Sequence, residues 1–368
     1  MPDLVVVGAG IIGAAIARRS ADRGARVTVV EVNRPAAGTS LATFSWVNAV
    51  GKQPRGYFDL NVAGICEHRR LVDELGGADW YHAGGNLEWS ASADALRERV
   101  ERHAAWGYAV SLVGVDEARR LEPGIRLAAG ASAAFYPDDG WVDPVLLVGR
   151  LLDHEAITVA GGTLVAGLVT RAGRATGVQL AEGASIEADR VVVAAGPRTA
   201  ELLKPLGFNL PMRHAPGLLA FTEPAATGIG RILHAPGVAM RPDGSGRLLL
   251  AADDLDKRLE LAGGDLSISE ATGELLERAR RAVPALAGVP VEATRIGFRA
   301  LTTDGFPAVG RVPGVDGAYL VVTHSGVTLA PLLGRLVAGE VLGGTHELIL
   351  DDYRPDRFLA VPGTNLSS

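Results

Sequence analysis

The stretch from Leu4 to Glu31 leaves the chain little freedom of fold. Leu4-Val5-Val6-Val7 is wholly apolar and mostly β-branched, the composition of a strand buried on both faces of a parallel sheet. Gly8-Ala9-Gly10-Ile11-Ile12-Gly13 follows without a gap. Ala14 to Arg23 then reads as a helix stopped by Gly24, Arg26 to Val30 as a second apolar strand, and Glu31 ends it. Strand, Gly-x-Gly-x-x-Gly, helix, strand and acid, in that order, are the parts of a dinucleotide-binding unit. Gly8 permits the tight turn, Gly10 lets a pyrophosphate approach the backbone, and Gly13 lets the helix pack close to the strand. The residues that open the helix, Ile11 and Ile12 among them, offer unpaired N–H groups and a positive dipole end to phosphate. Glu31 suits the ribose hydroxyls. The motif by itself does not choose between FAD and NAD.

Composition narrows the rest. A chain of 368 residues, 48% hydrophobic and 21% charged, can bury a large core and divide into two domains. A net charge of −6 argues against a nucleic-acid partner, which needs a basic surface. The single cysteine, Cys66, has no internal disulfide partner and fits a reducing cytoplasm. Within a helical stretch it is expected as a small core residue without a chemical role. No apolar stretch reads as long enough to span a bilayer, and no residue is assigned to a metal. Lysine is scarce, at Lys52, Lys204 and Lys257 only.

Along the chain, Pro35 to Ser40 is a turn-rich loop. Thr39 and Ser40 are placed either to reach phosphates or to cap a following helix. Leu41 to Lys52 lacks periodicity and reads as a segment that lines something. Tyr57 to Leu75 reads as a helix. Asp143 and Pro144 are an N-cap and first helical position for a helix to about Ala156, with strands near Thr163–Val165, Gly177–Leu180 and Ile186–Ala188 after it. Arg190 to Ala195 is a buried strand ending at Gly196-Pro197. Arg241 to Arg247 is a hairpin turn, Thr294 to Ala300 a strand, and Thr323 to Pro331 leads into a final helix to about Leu342.

Separated stretches of this sequence resemble the D-amino-acid oxidase superfamily of FAD-dependent amine and amino-acid oxidoreductases, which includes glycine oxidase, sarcosine oxidase and D-amino-acid dehydrogenase. They are the N-terminal glycine motif with Glu31, Thr39-Ser40, Val191 to Gly196, Gly297-Phe298-Arg299 with Thr303 to Gly310, and His324 to Pro331. The resemblance implies an α/β fold of glutathione-reductase-2-like type, with a discontinuous Rossmann-like FAD-binding domain (1–78, 135–208 and 295–368). A substrate-binding domain (79–134 and 209–294) would be built on a mixed β-sheet. It implies non-covalent FAD, bound by Gly8, Gly10, Ile11, Ile12, Gly13, Glu31, Thr39, Ser40, Ala195, Gly196, Ser325, Gly326, Val327 and Thr328. The last four would stabilise reduced flavin through helix-start N–H groups.

The implied reaction is oxidation of a C–N bond in an amino acid or secondary amine by hydride transfer to flavin, with O2 or another acceptor taking the electrons. The imine product would hydrolyse. Arg299 falls where relatives bind the substrate carboxylate; a structural salt bridge is the other reading. His324 is either a proton acceptor for the amine or a packing residue. Lys52 and Arg55 lie where sarcosine-oxidase-like members carry substrate-contacting bases, but read as surface charge. The lysine that such members hold over the flavin is replaced at the best-matching hairpin by Arg247. A monooxygenase-like flavoenzyme and an FAD-bearing subunit of a larger complex are the competing readings.

Overall fold

A computed structural model describes residues 1–76 and 79–359. Its first layer is a six-stranded sheet in the order Ala308–Arg311, Ala318–Val322, Arg190–Val193, Asp3–Val7, Arg26–Glu31, Ile157–Gly161. Every neighbouring pair is parallel except the first. Leu4 and Val6 pack into the cluster that contains the first and last helices, and Val5 and Val7 into a second cluster on the opposite face. Burial on both faces is why this strand shows no polar alternation. The chain leaves Asp3–Val7 toward Arg26–Glu31 on one side and returns to it as Arg190–Val193 on the other. A crevice therefore opens beyond the carboxyl ends of the central strands.

The second layer is an eight-stranded sheet in the order Val291–Phe298, Pro216–Thr222, Leu248–Ala251, Val238–Pro242, Ile232–Ala235, Asn86–Glu88, Ser132–Tyr136, Ser111–Gly114. It is mixed: Ile232–Ala235 runs parallel to Asn86–Glu88, and the other pairs are antiparallel. The α/β class and the mixed sheet agree with the expectation. The domain boundaries placed at 134/135 and 294/295 fall inside Ser132–Tyr136 and Val291–Phe298. Residues 78 and 360–368, which end the first and last expected segments, lie outside the described residues.

Three local expectations change. The helix capped by Asp143, whose side chain accepts from Val145 and Leu146 N–H, stops at Leu152 rather than near Ala156. The β-branched run that follows is a strand, Ile157–Gly161, paired with Arg26–Glu31. Cys66 is exposed on Arg55–Leu75 instead of lying in the core. The final helix, Gly326–Gly343, is long and apolar enough by length and composition to cross a bilayer, contrary to the sequence reading. It is a core helix: Leu329, Leu333 and Val337 are buried against the first helix, Ile11–Ala21, and against Arg55–Leu75.

The first and last helices cross with almost no gap. A Cβ added to Gly334 would lie 2.7 Å from the Ala15 carbonyl oxygen. Backbone cannot yield as a flexible side chain does, so Gly334→Ala should destabilise the fold by about 1–3 kcal/mol. Denaturant unfolding at fixed cofactor excess measures this, and an unchanged midpoint would contradict the tight crossing.

Candidate active site

The carboxyl ends of Asp3–Val7, Arg26–Glu31 and Arg190–Val193 open into a cleft of about 1500 Å³ that continues to the eight-stranded sheet. Ordinary small-molecule pockets span ~300–1000 Å³, so this cleft has room for a dinucleotide and a second small molecule.

At one end lies the glycine turn. Gly8 adopts φ +104° and donates its N–H to Val30 O at 2.8 Å. A Cβ there would lie 2.6 Å from Ala194 O, and one on Gly13 only 1.9 Å from Gly8 O. The Glu31 carboxylate accepts from Ala9 N–H at 2.8 Å and Asn33 N–H at 3.0 Å, which fixes the turn against the end of its strand. Among the described residues the N–H groups of Ile12 and Gly13 find no acceptor. The Ile11 N–H donates to Ser40 Oγ at 3.0 Å. No helix follows this loop before Arg55, so the capping alternative is corrected: Ser40 caps the first helix from outside it. Thr39 Oγ1 donates to Phe298 O at 2.7 Å, tying the loop to the strand that leads to Arg299. Gly10, Thr39, Ser40, Ala195 and Gly196 all border the cleft.

A second helix start faces the same cleft. Ser325, Gly326, Val327 and Thr328 border it. Ser325 Oγ lies 2.7 Å from the Tyr57 hydroxyl, and its N–H donates to Thr323 Oγ1 at 3.2 Å. Thr328 Oγ1 donates to Trp46 O and accepts from Asn48 N–H, each at 3.2 Å. Among the described residues Gly326, Val327 and Thr328 have no acceptor for their N–H groups, and the buried Asn48 Oδ1 has no donor. Two helix starts, a cradle that any Cβ would fill and an orphaned acceptor fit a long diphosphate cofactor carrying a polar ring. Cys66 does not border the cleft.

Beside the second helix start the cleft is charged. Arg299, His324, Lys52 and Asp253 all border it. Both readings of Arg299 meet here. Its Nη1 donates to Pro216 O at 2.9 Å, and its Nη2 donates to Asp253 at 3.2 Å and to the buried Asp256. Asp256 is only 3% exposed and also accepts from Leu218 N–H at 2.8 Å; burial raises its pKa, opposed by Arg299. The Asp253 side chain is 88% exposed, so it is the partner an incoming anion can displace. Lys52 has no ion-pair partner within 4.0 Å among the described residues, and its ammonium lies 5.8 Å from the centre of the Tyr57 ring. Burial lowers its pKa, opposed by Asp253. Water reaches His324 from the cleft, yet surrounding protein, then Lys52 and Arg299, push its pKa down to about 4. The ring is therefore neutral and a weak base near pH 7.

Sequence reasoning separated these cations poorly. Lys52, read as surface charge, lines the cleft; Arg55 is on the surface, paired with Asp59 at 2.7 Å. Arg247 pairs with Asp243 at 2.7 Å and Glu292 at 3.1 Å and does not border the cleft. Asp253 and Asp256 carried no motif. The segment Leu41 to Lys52 does line the cleft, as its lack of periodicity suggested. Its Trp46 packs against His234 with ring centres 4.2 Å apart and planes tilted by 37°, and donates from Nε1 to Asp139 Oδ2 at 2.9 Å. Asp139 is fully buried, and burial pushes its pKa up to about 8.

Known proteins resemble this chain over nearly its whole length. The family model for FAD dependent oxidoreductases matches residues 3–340. Glycine oxidase of Pseudomonas aeruginosa is 30% identical over 366 residues, covering 94% of this chain and 96% of that one. The crystal structure of iminodiacetate oxidase from a Chelativorans species superposes with a TM-score of 0.83 at 26% identity, covering 96% of this chain and 98% of the other. That of glycine oxidase from Geobacillus kaustophilus gives 0.85 at 23% identity, over 98% and 100%.

Burial first, and then the cations beside it, set the titration of His324. In the folded protein the ring should stay neutral from pH 8 down to about pH 5 and protonate near 4. Because the unfolded ring protonates near 6.5, the neutral ring's contribution to stability is present above pH 6.5 and lost as pH falls toward 4. Lys52→Met should move the titration upward in histidine-selective NMR. A midpoint that stays near 4 in the variant would place Lys52 too far away to act.

Proposed function

The chain belongs to the FAD dependent oxidoreductase (DAO) family, and from that membership we propose that it oxidises the C–N bond of an amino acid or secondary amine bearing a carboxylate. The observation that carries the reading is the meeting of Lys52, Arg299 and His324 beside the last helix start, within the cleft that also holds the glycine turn. Glycine oxidase and iminodiacetate oxidase, relatives at 30% and 26% identity, are named for substrates of this class.

Bound FAD supplies the two-electron oxidant. The Gly8–Gly13 turn, Glu31 and Ser40 would hold its diphosphate and ribose portion at the start of the first helix. Lys52 supplies an unpaired charge for the substrate carboxylate. Arg299 supplies a second, held in place by Asp256 and freed for substrate when the exposed Asp253 gives way. A carboxylate clamped at one end fixes the adjacent carbon, which converts an encounter into an oriented arrangement. Burial, reinforced by the nearby cations, keeps His324 neutral, and the same surroundings disfavour a bound ammonium, so the amine binds without its extra proton. His324 then accepts a hydrogen bond from the amine N–H and orients the nitrogen lone pair. Loss of hydride from the carbon, which the flavin as two-electron oxidant would take up, and of a proton from nitrogen to water in the cleft leaves an imine, which water hydrolyses.

Anaerobic mixing of the holoenzyme with D- and L-amino acids, N-alkyl amino acids and simple amines tests this. Carboxylate-bearing amines should bleach the oxidised flavin band, and amines lacking the carboxylate should not. Lys52→Ala and Arg299→Ala should each weaken substrate binding by roughly 10- to 100-fold, the loss of a charged hydrogen bond. Return of colour in air with peroxide would identify an oxidase, and slow return a dehydrogenase with another acceptor. Bleaching by NAD(P)H and by no amine would overturn the reading.

A further inference from the structure

Arg55–Leu75 grips the first turns of the last helix through one of its faces. Gly64, Glu67, His68 and Leu71 are spaced three and four apart, so they share that face. A Cβ on Gly64 would stand 2.6 Å from Thr328 O, and Glu67 pairs with Arg335 Nε at 3.0 Å. Between them His68 Nε2 lies 2.8 Å from Val327 O.

That contact answers a defect written into the sequence. Pro331 sits inside the last helix, four residues after Val327. Proline has no N–H, so the Val327 carbonyl loses the intrahelical donor it would otherwise have. A carbonyl oxygen can only accept, so His68 must carry its proton on Nε2. His68 is fully buried, and no donor reaches its Nδ1 among the described residues, which makes Val327 the one polar anchor of the ring.

The carbonyl of Val327 and the N–H of Thr328 belong to one peptide unit. Thr328 borders the cleft, and among the described residues its N–H has no acceptor. A hydrogen bond accepted at one end of a peptide polarises it and makes the other end a stronger donor. We propose that His68 is a positioning residue for cofactor redox chemistry: by donating to Val327 O in place of the donor Pro331 lacks, it holds the first turn of the last helix and strengthens the Thr328 N–H toward the electron-rich ring of the bound cofactor. This rests on family membership and on the helix start facing the flavin, and is independent of which amine is oxidised.

The test measures the midpoint potential of the bound flavin by dye equilibrium, with no substrate present, in the holoenzyme and three variants. His68→Leu should lower the potential, because it weakens binding of reduced flavin about threefold more than that of oxidised flavin. His68→Gln, which places an N–H at a similar reach, should restore it. Glu67→Gln loosens the same helix pair without touching the Val327–Thr328 peptide; it should lower the unfolding temperature and leave the potential in place. Should His68→Leu fail to fold, His68→Asn, polar but too short to reach Val327, carries the same expectation. An unchanged potential in His68→Leu or His68→Asn, or an equal drop with Glu67→Gln, overturns the proposal. Because no amine enters the experiment, its failure is distinct from failure of the substrate reading.

Discussion

Two helices start at one cleft, and the rest of the molecule is arranged to keep their first turns there. A helix start left without intrahelical acceptors is an electrostatic resource only if the turn stays put. Here backbone touches backbone without intervening side chains. Gly13 lies against Gly8, Gly334 against Ala15 and Gly64 against Thr328, each so close that a methyl group would collide with a carbonyl. The six-stranded sheet fixes where the first helix begins. The first helix and Arg55–Leu75 together fix where the last one does.

The charged end of the cleft depends on that same arrangement. Arg299 follows directly on Val291–Phe298, and its neighbour Phe298 is bonded to Thr39 in the loop after the dinucleotide unit. Lys52 ends the segment that Thr328 and Trp46 hold against the last helix. His324 stands just before the Ser325 N-cap of that helix. Three groups far apart in sequence therefore meet because each is tied to a helix start or to the sheet edge beside it. Their meeting has a cost that explains their states: burial, and after it the neighbouring cations, keep His324 neutral, burial lowers the Lys52 ammonium pKa, and Asp253 and Asp256 stand against Arg299 as counter-charges. Asp256 is buried and oriented by Leu218, which makes its pairing with Arg299 part of the scaffold. The exposed Asp253 is the replaceable partner.

An aromatic wall of the same cleft is built with similar economy. Trp46 and His234 border the cleft with their rings packed together at a tilt, while their polar edges turn away to Asp139 and Asn86. A carboxyl held well above its ordinary pKa by burial can share hydrogen bonds with Trp46 and Tyr108 without placing a full charge behind the wall.

Much of this was legible before any coordinates. The dinucleotide unit, its strand–turn–helix order and the apolar strand ending at Gly196 are local patterns, set by neighbours a few residues apart. So are the last helix and the unperiodic segment from Leu41 to Lys52; these lie where the patterns put them, except that the strand from Arg190 stops at Val193, two residues short. What failed locally did so for local reasons, as where the β-branched run after Leu152 left the helix for the sheet. The separation of Lys52 from Arg55, of Arg299 from Arg247 and the pairing of Pro331 with His68 were beyond the sequence. A cation's partner, its burial and hence its charge state depend on atoms contributed by distant segments, and no spacing along the chain records them. Sequence alone determined that this protein has a dinucleotide cleft and which residues begin the helices that face it; only the tertiary structure decided which cations enter that cleft, because desolvation and counter-charge are properties of the packed site and not of the residue.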